Sequence, residues 1–421
     1  MIVIISVGAG MVKVIPNKYN NWKQNAFYFR DDINLNIFKP NSLYSWRKDC
    51  FGITSIHINS HGFRDVDWDL NAQYKIAILG DSYMEGFQVS DGDYTAAIMR
   101  TLLNLHIKSK IEVFNTGLSG NGTVHELYRY RKYLKTFKPD IVLLFFLVGN
   151  DFRDNSCELS VAINKNKIEM PCAYVEANVV TYETNVDILN RKYFDKHNSV
   201  YRNYQNLKDN IKYKYPTIAA IAKDLKDTLS YKAKVGATVE EDGISSDKYI
   251  YDPPIKQQWL EAWQITEETL IKLNQEIIAD GGKLIIVINA ENPYSTIRYP
   301  EIRLMDIANK DNISILSLTT DFIAYKDMFA LKQPYFSFYC DGHWNPLGHF
   351  IAANVVVKYI IDHDYLPIDN AEKQIILAQI VNNLNINPKE ILGTGYDQIY
   401  KNSYFKGKTN IKNTLKANLV S

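Results

Sequence analysis

The chain has 421 residues, of which 46% are hydrophobic and 23% charged, and its 48 Lys+Arg against 47 Asp+Glu leave a net charge of +1. That composition excludes a wholly disordered, collagen-like or coiled-coil chain, and the balanced charge argues against a surface that tracks nucleic acid. The length suits two to three domains, or one domain carrying a large insertion.

Residues 1–15 (MIVIISVGAGMVKVI) are apolar but broken by two glycines and Lys13, and they lack a basic start. A spanning helix needs about 20 apolar residues. The segment reads as a buried strand or loose terminus, or as the remnant of a membrane anchor or signal whose start lies upstream. Localisation and membrane association hang on it, and the body of the chain reads as soluble. Residues 16–73 are polar, aromatic and irregular, so 1–73 forms an N-terminal extension.

The pattern then changes. Short apolar runs at Tyr74–Leu79, Ile111–Phe114 and Ile141–Val148 have the look of strands buried on both faces. Helical spacing over Tyr94–Leu105 and Thr123–Phe137 separates them. The rhythm resumes with a long helix at Gln257–Ala279, a strand at Lys283–Ile288, a helix at Glu301–Asn309, a strand at Ile313–Leu318 and a helix at Pro346–Ile361, with Asn345 as its N-cap. Alternation of this kind predicts a parallel sheet covered by helices. It divides the core into 74–151 and 257–365. Between them lie about 105 residues, 152–256, far more than a usual connection. They read as an inserted helical cap over the carboxyl edge of the sheet, with one helix marked by Ile218, Ile221, Ala222, Leu225 and Leu229. A helix over 370–385 and a basic tail from Lys401 complete a C-terminal segment, 366–421.

Four cysteines, Cys50, Cys157, Cys172 and Cys340, have no CxxC spacing, so a zinc cage is not expected. A Cys157–Cys172 bridge and four free thiols are both compatible with the spacing.

In a doubly wound sheet, ligands gather where strands end at their carboxyl edge. Strand one ends in Gly80-Asp81-Ser82, strand two in a loop with Gly117, Gly120 and Gly122, and strand three in Gly149-Asn150-Asp151; after strand five comes Asp341-Gly342-His343. A serine hydroxyl needs a base, an imidazole can be that base, and a carboxylate can fix its tautomer. Asp341 and His343, at i and i+2 in an extended loop, point the same way. Candidate donors to a developing oxyanion are the Ser82 N–H, the Gly120 N–H and the Asn150 side-chain amide. Asp81 and Asp151 read as loop-holding carboxylates. His349 and Trp344 read as structural. Arg64 reads equally as a pin at the edge of the site or a surface ion pair, and Asp154 as a rival orienting carboxylate.

Taken together, GDS at 80–82, Gly120 in NTGLSGNG, GND at 149–151 and DGH at 341–343 resemble the four blocks of the SGNH hydrolase (GDSL esterase/lipase) superfamily, over roughly residues 59–155 and 257–361. The resemblance implies a three-layer α/β/α sandwich with a five-stranded, flavodoxin-like parallel sheet. It also implies Ser82 as nucleophile, Asp341 and His343 as its partners, and Ser82, Gly120 and Asn150 as the oxyanion hole, with Gly80, Asp81, Gly149 and Asp151 in support. It implies a small-molecule or glycan ester as substrate, with no metal and no cofactor. Many members carry Asp three residues before His, where this chain has Cys340. The DxH form, also found in relatives that O-acetylate polysaccharides, keeps acyl transfer to a glycan beside hydrolysis. A metal-dependent phosphoesterase would need the DxH segment first and GNH rather than GND. A GxSxG elbow fails because position 84 is Met. A non-catalytic glycan-binding module would require a lost triad member.

Overall fold

The computed structural model describes residues 3–7, 10–14, 22–24, 28–48, 51–164, 168–194, 247–290, 298–331, 335–338 and 341–392. Its centre is a five-stranded, all-parallel sheet of β8 (Tyr74–Gly80), β9 (Ile111–Asn115), β10 (Ile141–Phe146), β13 (Lys283–Ile288) and β14 (Ser314–Ser317), arranged β14-β13-β10-β8-β9. In order of appearance this is 2-1-3-4-5, the flavodoxin-like order. The strands are continuous apolar runs because both faces are covered. Ile76, Ile78, Leu143, Phe145, Ile285 and Val287 pack on one side, and Ala77, Leu79, Val142, Leu144, Phe146, Leu284 and Ile286 on the other.

The first face is covered by α2 (Thr95–His106), α9 (Thr319–Met328), α10 (Pro346–Asp362) and, outside them, α11 (Asn370–Leu384). The second is covered by α3 (Thr123–Arg129), α7 (Gln257–Ala279) and α8 (Tyr299–Lys310), with the fully buried Trp259 and Trp263 of α7 at its centre. The expected three-layer sandwich is therefore the observed architecture. The register pairs Phe145 with Gly80 and Ile78 with Asn115. The chain thus leaves β8, β9 and β10 at the same edge, and the strand order reverses between β8 and β10, where a doubly wound sheet opens a crevice.

Several local readings are corrected. The 16–73 stretch is not irregular throughout. After a hairpin of β1 (Val3–Val7) and β2 (Gly10–Val14), it holds an antiparallel sheet of β3 (Trp22–Gln24), β6 (Ser42–Lys48) and β7 (Gly52–Ile58), and a small ladder of β4 (Phe29–Arg30) and β5 (Asn36–Ile37). Along β7, Thr54, Ile56 and Ile58 are buried while Ile53, Ser55 and His57 are exposed, the period of a half-buried strand. Interleaved Ser, Thr and His dilute that signal in the sequence. The buried face meets Phe38, Phe87 and Leu118, so this sheet braces the loop that follows β9. The Thr123–Phe137 helix holds its α-form only to Arg129, then widens into a π turn over Tyr130–Leu134 and tightens into a 3₁₀ turn over Lys135–Phe137. Helix α9 is an addition to the elements that the sequence pattern predicts.

The described part of the insertion is not wholly helical. It has α4 (Asp151–Asn155), α5 (Cys157–Asn164), an antiparallel hairpin of β11 (Cys172–Glu176) and β12 (Val179–Glu183), and α6 (Val186–Tyr193). α4 and β11 pack against α3 and α7, α5 and β12 against α7, and α6 against β12. The helix expected around 218–229, the basic tail, Cys50 and Cys340 lie outside the described residues. Among those described, no helix is long and apolar enough to cross a membrane. Cys157 and Cys172 form a disulfide with a sequence separation of 15. Closing such a loop removes about 3 kcal/mol of chain entropy from the unfolded state. A Cys157→Ser/Cys172→Ser double variant should lose about that much in chemical denaturation; an unchanged midpoint would show that the bridge contributes nothing.

Candidate active site

β8 ends in a tight elbow. A Cβ on Gly80 would lie 2.7 Å from the Met84 Cγ, so only glycine fits where the strand turns into the one-turn helix α1 (Ser82–Glu85). Asp81 caps that helix, its carboxylate accepting from the Tyr83 N–H at 3.0 Å. Ser82 is the first helical residue. Its N–H belongs to the donors that a helix start leaves unpaired, and no described residue accepts from it. Burial pushes the Asp81 carboxyl up, opposed by the Tyr83 N–H, the nearby imidazole of His343 and the Asn150 amide.

From the other end of the chain, 261 residues away, the His343 Nε2 lies 2.7 Å from the Ser82 Oγ, and the His343 Nδ1 is hydrogen-bonded to the Asp341 Oδ1. Ser82, His343 and Asp341 thus form one continuous relay. The segment carrying the pair is not extended. The N–H groups of Asp341 and Gly342 both donate to the Phe338 carbonyl, Gly342 sits at φ +87°, and the Phe338 N–H donates to the His343 carbonyl at 2.8 Å. Asn345 anchors this turn to α10, accepting from the Leu347 and Gly348 N–H groups and donating to the Tyr335 carbonyl at 2.7 Å.

The second strand's loop supplies Gly120, at φ +75°. A Cβ there would meet only the Met170 Cε, at 4.0 Å, so glycine is needed for the backbone angle and not for space. Its rivals are different. A Cβ on Gly117 would fall 2.4 Å from Met84 backbone, and one on Gly122 2.7 Å from the Asn155 Oδ1. Their N–H groups are also spent, on the Asn115 Oδ1 and the His125 Nδ1, whereas no described residue accepts from the Gly120 N–H. Glu85 holds the loop in place, bonding the Ser119 hydroxyl and N–H, and accepts from the Tyr28 hydroxyl at 2.6 Å.

At the end of β10, Gly149 is buried in the turn and the Asp151 carboxylate closes it by accepting from the Leu147 N–H at 2.9 Å. The Asn150 Nδ2 lies 3.4 Å from the Asp81 Oδ2, which is itself 3.5 Å from the Ser82 Oγ. Asp81 therefore ties the third strand's amide to the first strand's serine. Contacts thus join Ser82 to His343, Asp341, Asp81 and Asn150, while the N–H groups of Ser82 and Gly120 have no acceptor among the described residues.

The remaining expectations divide. Arg64 is fully buried and donates to the carbonyls of Glu85, Gly86 and Val89, with Asp91 at 3.6 Å and its guanidinium over the Tyr94 ring. It is a pin for the segment after the serine helix, not a surface ion pair. His349 is bonded to the Thr95 hydroxyl and burial lowers its pKa to about 3, so it stays neutral and structural. Trp344 is buried against Tyr83 and Phe322. Asp154 is engaged by Arg153; the carboxylate on His343 is Asp341. Sequence reading missed Gln88, which donates to the Asp341 Oδ1 at 3.1 Å, and Tyr83, whose hydroxyl donates to the Gly342 carbonyl at 3.1 Å. Both act across the gap between the chain's two halves, and nothing local in the sequence marks them. Among the described residues no group of three or more His, Cys, Asp or Glu is arranged to hold a metal ion.

No protein-family model and no curated protein matches the chain. Solved structures with a similar backbone include LAE5, described as an alpha/beta hydrolase enzyme from the metagenome of Lake Arreo, Spain, at 13% identity and a TM-score of 0.35 over 68% of this chain and 94% of that one. Axe2, an acetylxylan esterase from Geobacillus stearothermophilus, matches at 14% identity and a TM-score of 0.35 over 69% and 95%, and TesA at 11% and 0.36 over 69% and 99%.

Proposed function

We propose that this chain is a serine-dependent carboxylic-ester hydrolase of the SGNH type, working through an acyl-enzyme. The observation that carries the reading is the relay from the Ser82 Oγ through His343 to Asp341, beside the unspent N–H groups of Ser82 and Gly120. In this mechanism His343 takes the Ser82 proton as the oxygen attacks the ester carbonyl. The Asp341 carboxylate holds the imidazole in the tautomer that leaves Nε2 free to accept, and steadies the imidazolium that forms. The carbonyl oxygen, now negative, is met by the Ser82 N–H, the Gly120 N–H and the Asn150 amide. His343 returns its proton to the leaving alcohol. Water then attacks the acyl-enzyme by the same route.

Covalent labelling by a fluorophosphonate and turnover of p-nitrophenyl acetate test the reading together. A protein that is folded yet does neither would overturn it. Asn150→Ala should lower kcat by about 10²–10³-fold, the usual effect of losing one oxyanion donor. Unchanged turnover would remove Asn150 from the hole. Adding an oligosaccharide acceptor separates water from a sugar hydroxyl as the second nucleophile, because acetyl on sugar identifies transfer.

A further inference from the structure

The insertion returns to the site just before β11. Among the described residues, a Cβ on Gly120 would find one atom within contact range outside its own chain neighbours, the Met170 Cε at 4.0 Å. Gly120 is exposed and Met170 is half-buried. The space in front of the Gly120 backbone is therefore open except where one apolar methyl closes it. A separation of 4.0 Å is ordinary contact between carbons, so the gap between glycine and thioether takes a methyl group and little more.

Met170 is held in that place. Methionine is a flexible side chain that ordinarily fills irregular gaps, yet here its sulfur accepts from the Asn36 Nδ2 at 3.3 Å. Asn36 is buried and stands on β5, paired with Arg30 of β4. That ladder is tied to the insertion twice more. Arg30 lies 3.2 Å from Glu169, and the Asn34 amide donates to the Thr184 carbonyl at 3.0 Å. The two residues after Met170 are fixed from the other side. The Gly122 N–H donates to the His125 Nδ1 at 2.9 Å, and the Pro171 carbonyl accepts from the same ring. Cys172 is bridged to Cys157. The N-terminal extension, the glycine loop, α3 and α5 thus all fasten the segment that carries the thioether.

The chemistry of the reaction says which part of a substrate meets it. His343 returns its proton to the leaving alcohol, so the alcohol occupies the His343 side of the carbonyl. The carbonyl oxygen is met by the Ser82 and Gly120 N–H groups. The acyl chain is the part that remains, and the Gly120 flank is the side left to it.

We propose that Met170 is the wall of the acyl-chain subsite and that, held by Asn36, it restricts the substrate to esters of short apolar acyl groups, acetyl foremost. The inference deepens the ester-hydrolase reading and rests on it for turnover, while the subsite itself is tested by binding. Met170 selects by contact with the acyl group. Asn36 is a positioning residue that acts through the thioether, and neither moves a proton.

Three measurements on the full chain test this. The first is the ratio of kcat/KM on p-nitrophenyl butyrate to that on p-nitrophenyl acetate. Met170→Ala, checked for folding by circular dichroism, should raise this ratio by about 15-fold, because each methylene admitted to apolar surroundings is worth about 4-fold. An unchanged ratio overturns the proposal. So does a fixed ratio accompanied by altered selectivity among the alcohols of acetate esters, which would put Met170 on the leaving-group side. In the second, Asn36→Leu keeps apolar bulk beside Met170 and removes the amide. The ratio should move in the same direction by a smaller factor, and no movement overturns the role given to Asn36. The third needs no turnover. With methionine labelled at its ¹³C-methyl, the Met170 resonance is identified by its loss in Met170→Leu. It should shift on addition of methylboronic acid, whose methyl takes the place of an acetyl methyl once the Ser82 Oγ adds to boron and its proton passes to His343. No shift at any concentration overturns the proposal. A shift in a protein that hydrolyses no ester would sink the ester-hydrolase reading and leave the subsite standing; ester turnover without a shift would sink the subsite alone.

Discussion

Ser82→Ala is expected to lower kcat on p-nitrophenyl acetate by about 10⁴–10⁶-fold and to abolish fluorophosphonate labelling, while KM changes little. The magnitude is that of removing the nucleophile of a triad, which leaves only the catalysis of the oxyanion hole and binding. The fold should survive. Ser82 contributes no cap, since Asp81 supplies it, and its side chain bonds only the relay and the edge of Asp81. The substitution therefore separates chemistry from stability. Labelling that persists in a folded Ser82→Ala protein would move the nucleophile elsewhere and end the acyl-enzyme mechanism at this serine.

The second large effect concerns Asp341. Its side chain is only 2% exposed, and its Oδ1 receives both the His343 Nδ1 and the Gln88 amide. In Asp341→Asn the shape is kept, but an amide nitrogen can replace the accepting oxygen. The imidazole then turns to the tautomer that carries its proton on Nε2, facing Ser82, and cannot act as a base. A loss of about 10⁴-fold in kcat is expected, with fluorophosphonate labelling slowed in parallel. Near-normal turnover would mean that another carboxylate orients the ring. Because Gln88 holds Asp341 without touching His343, Gln88→Ala should produce a weaker version of the same kinetic change.

The four blocks were legible because each follows a strong local signal. Apolar runs ending in Gly80, Asn115 and Gly149 announce strands buried on both faces, and a parallel sheet brings their ends to one edge. Residues doing equal structural work without such a signal were not legible. Arg64 looks like any surface cation in sequence, and only its complete burial against three carbonyls reveals the pin. The β6–β7 sheet hides behind interleaved serines and aromatics, yet it supports Leu118 and thereby the loop of Gly120. Sequence reading selected Gly120 among the three glycines of its loop; the φ angle at 120 and the close neighbours at 117 and 122 are what the structure adds.

By itself, then, the amino-acid order determined the layered architecture and the strand ends, and so marked where Ser82, His343 and Asp341 stand as candidates. These follow from hydrophobic periodicity and from glycines at strand ends, which are local properties. Tertiary structure alone decided what pairs with what: Gln88 on Asp341, Tyr83 on Gly342, and Glu85 on the Gly120 loop. Each joins segments far apart in the chain or on different elements. Burial and hydrogen bonding across such gaps arise only when the sheet has closed, so no window of sequence carries them.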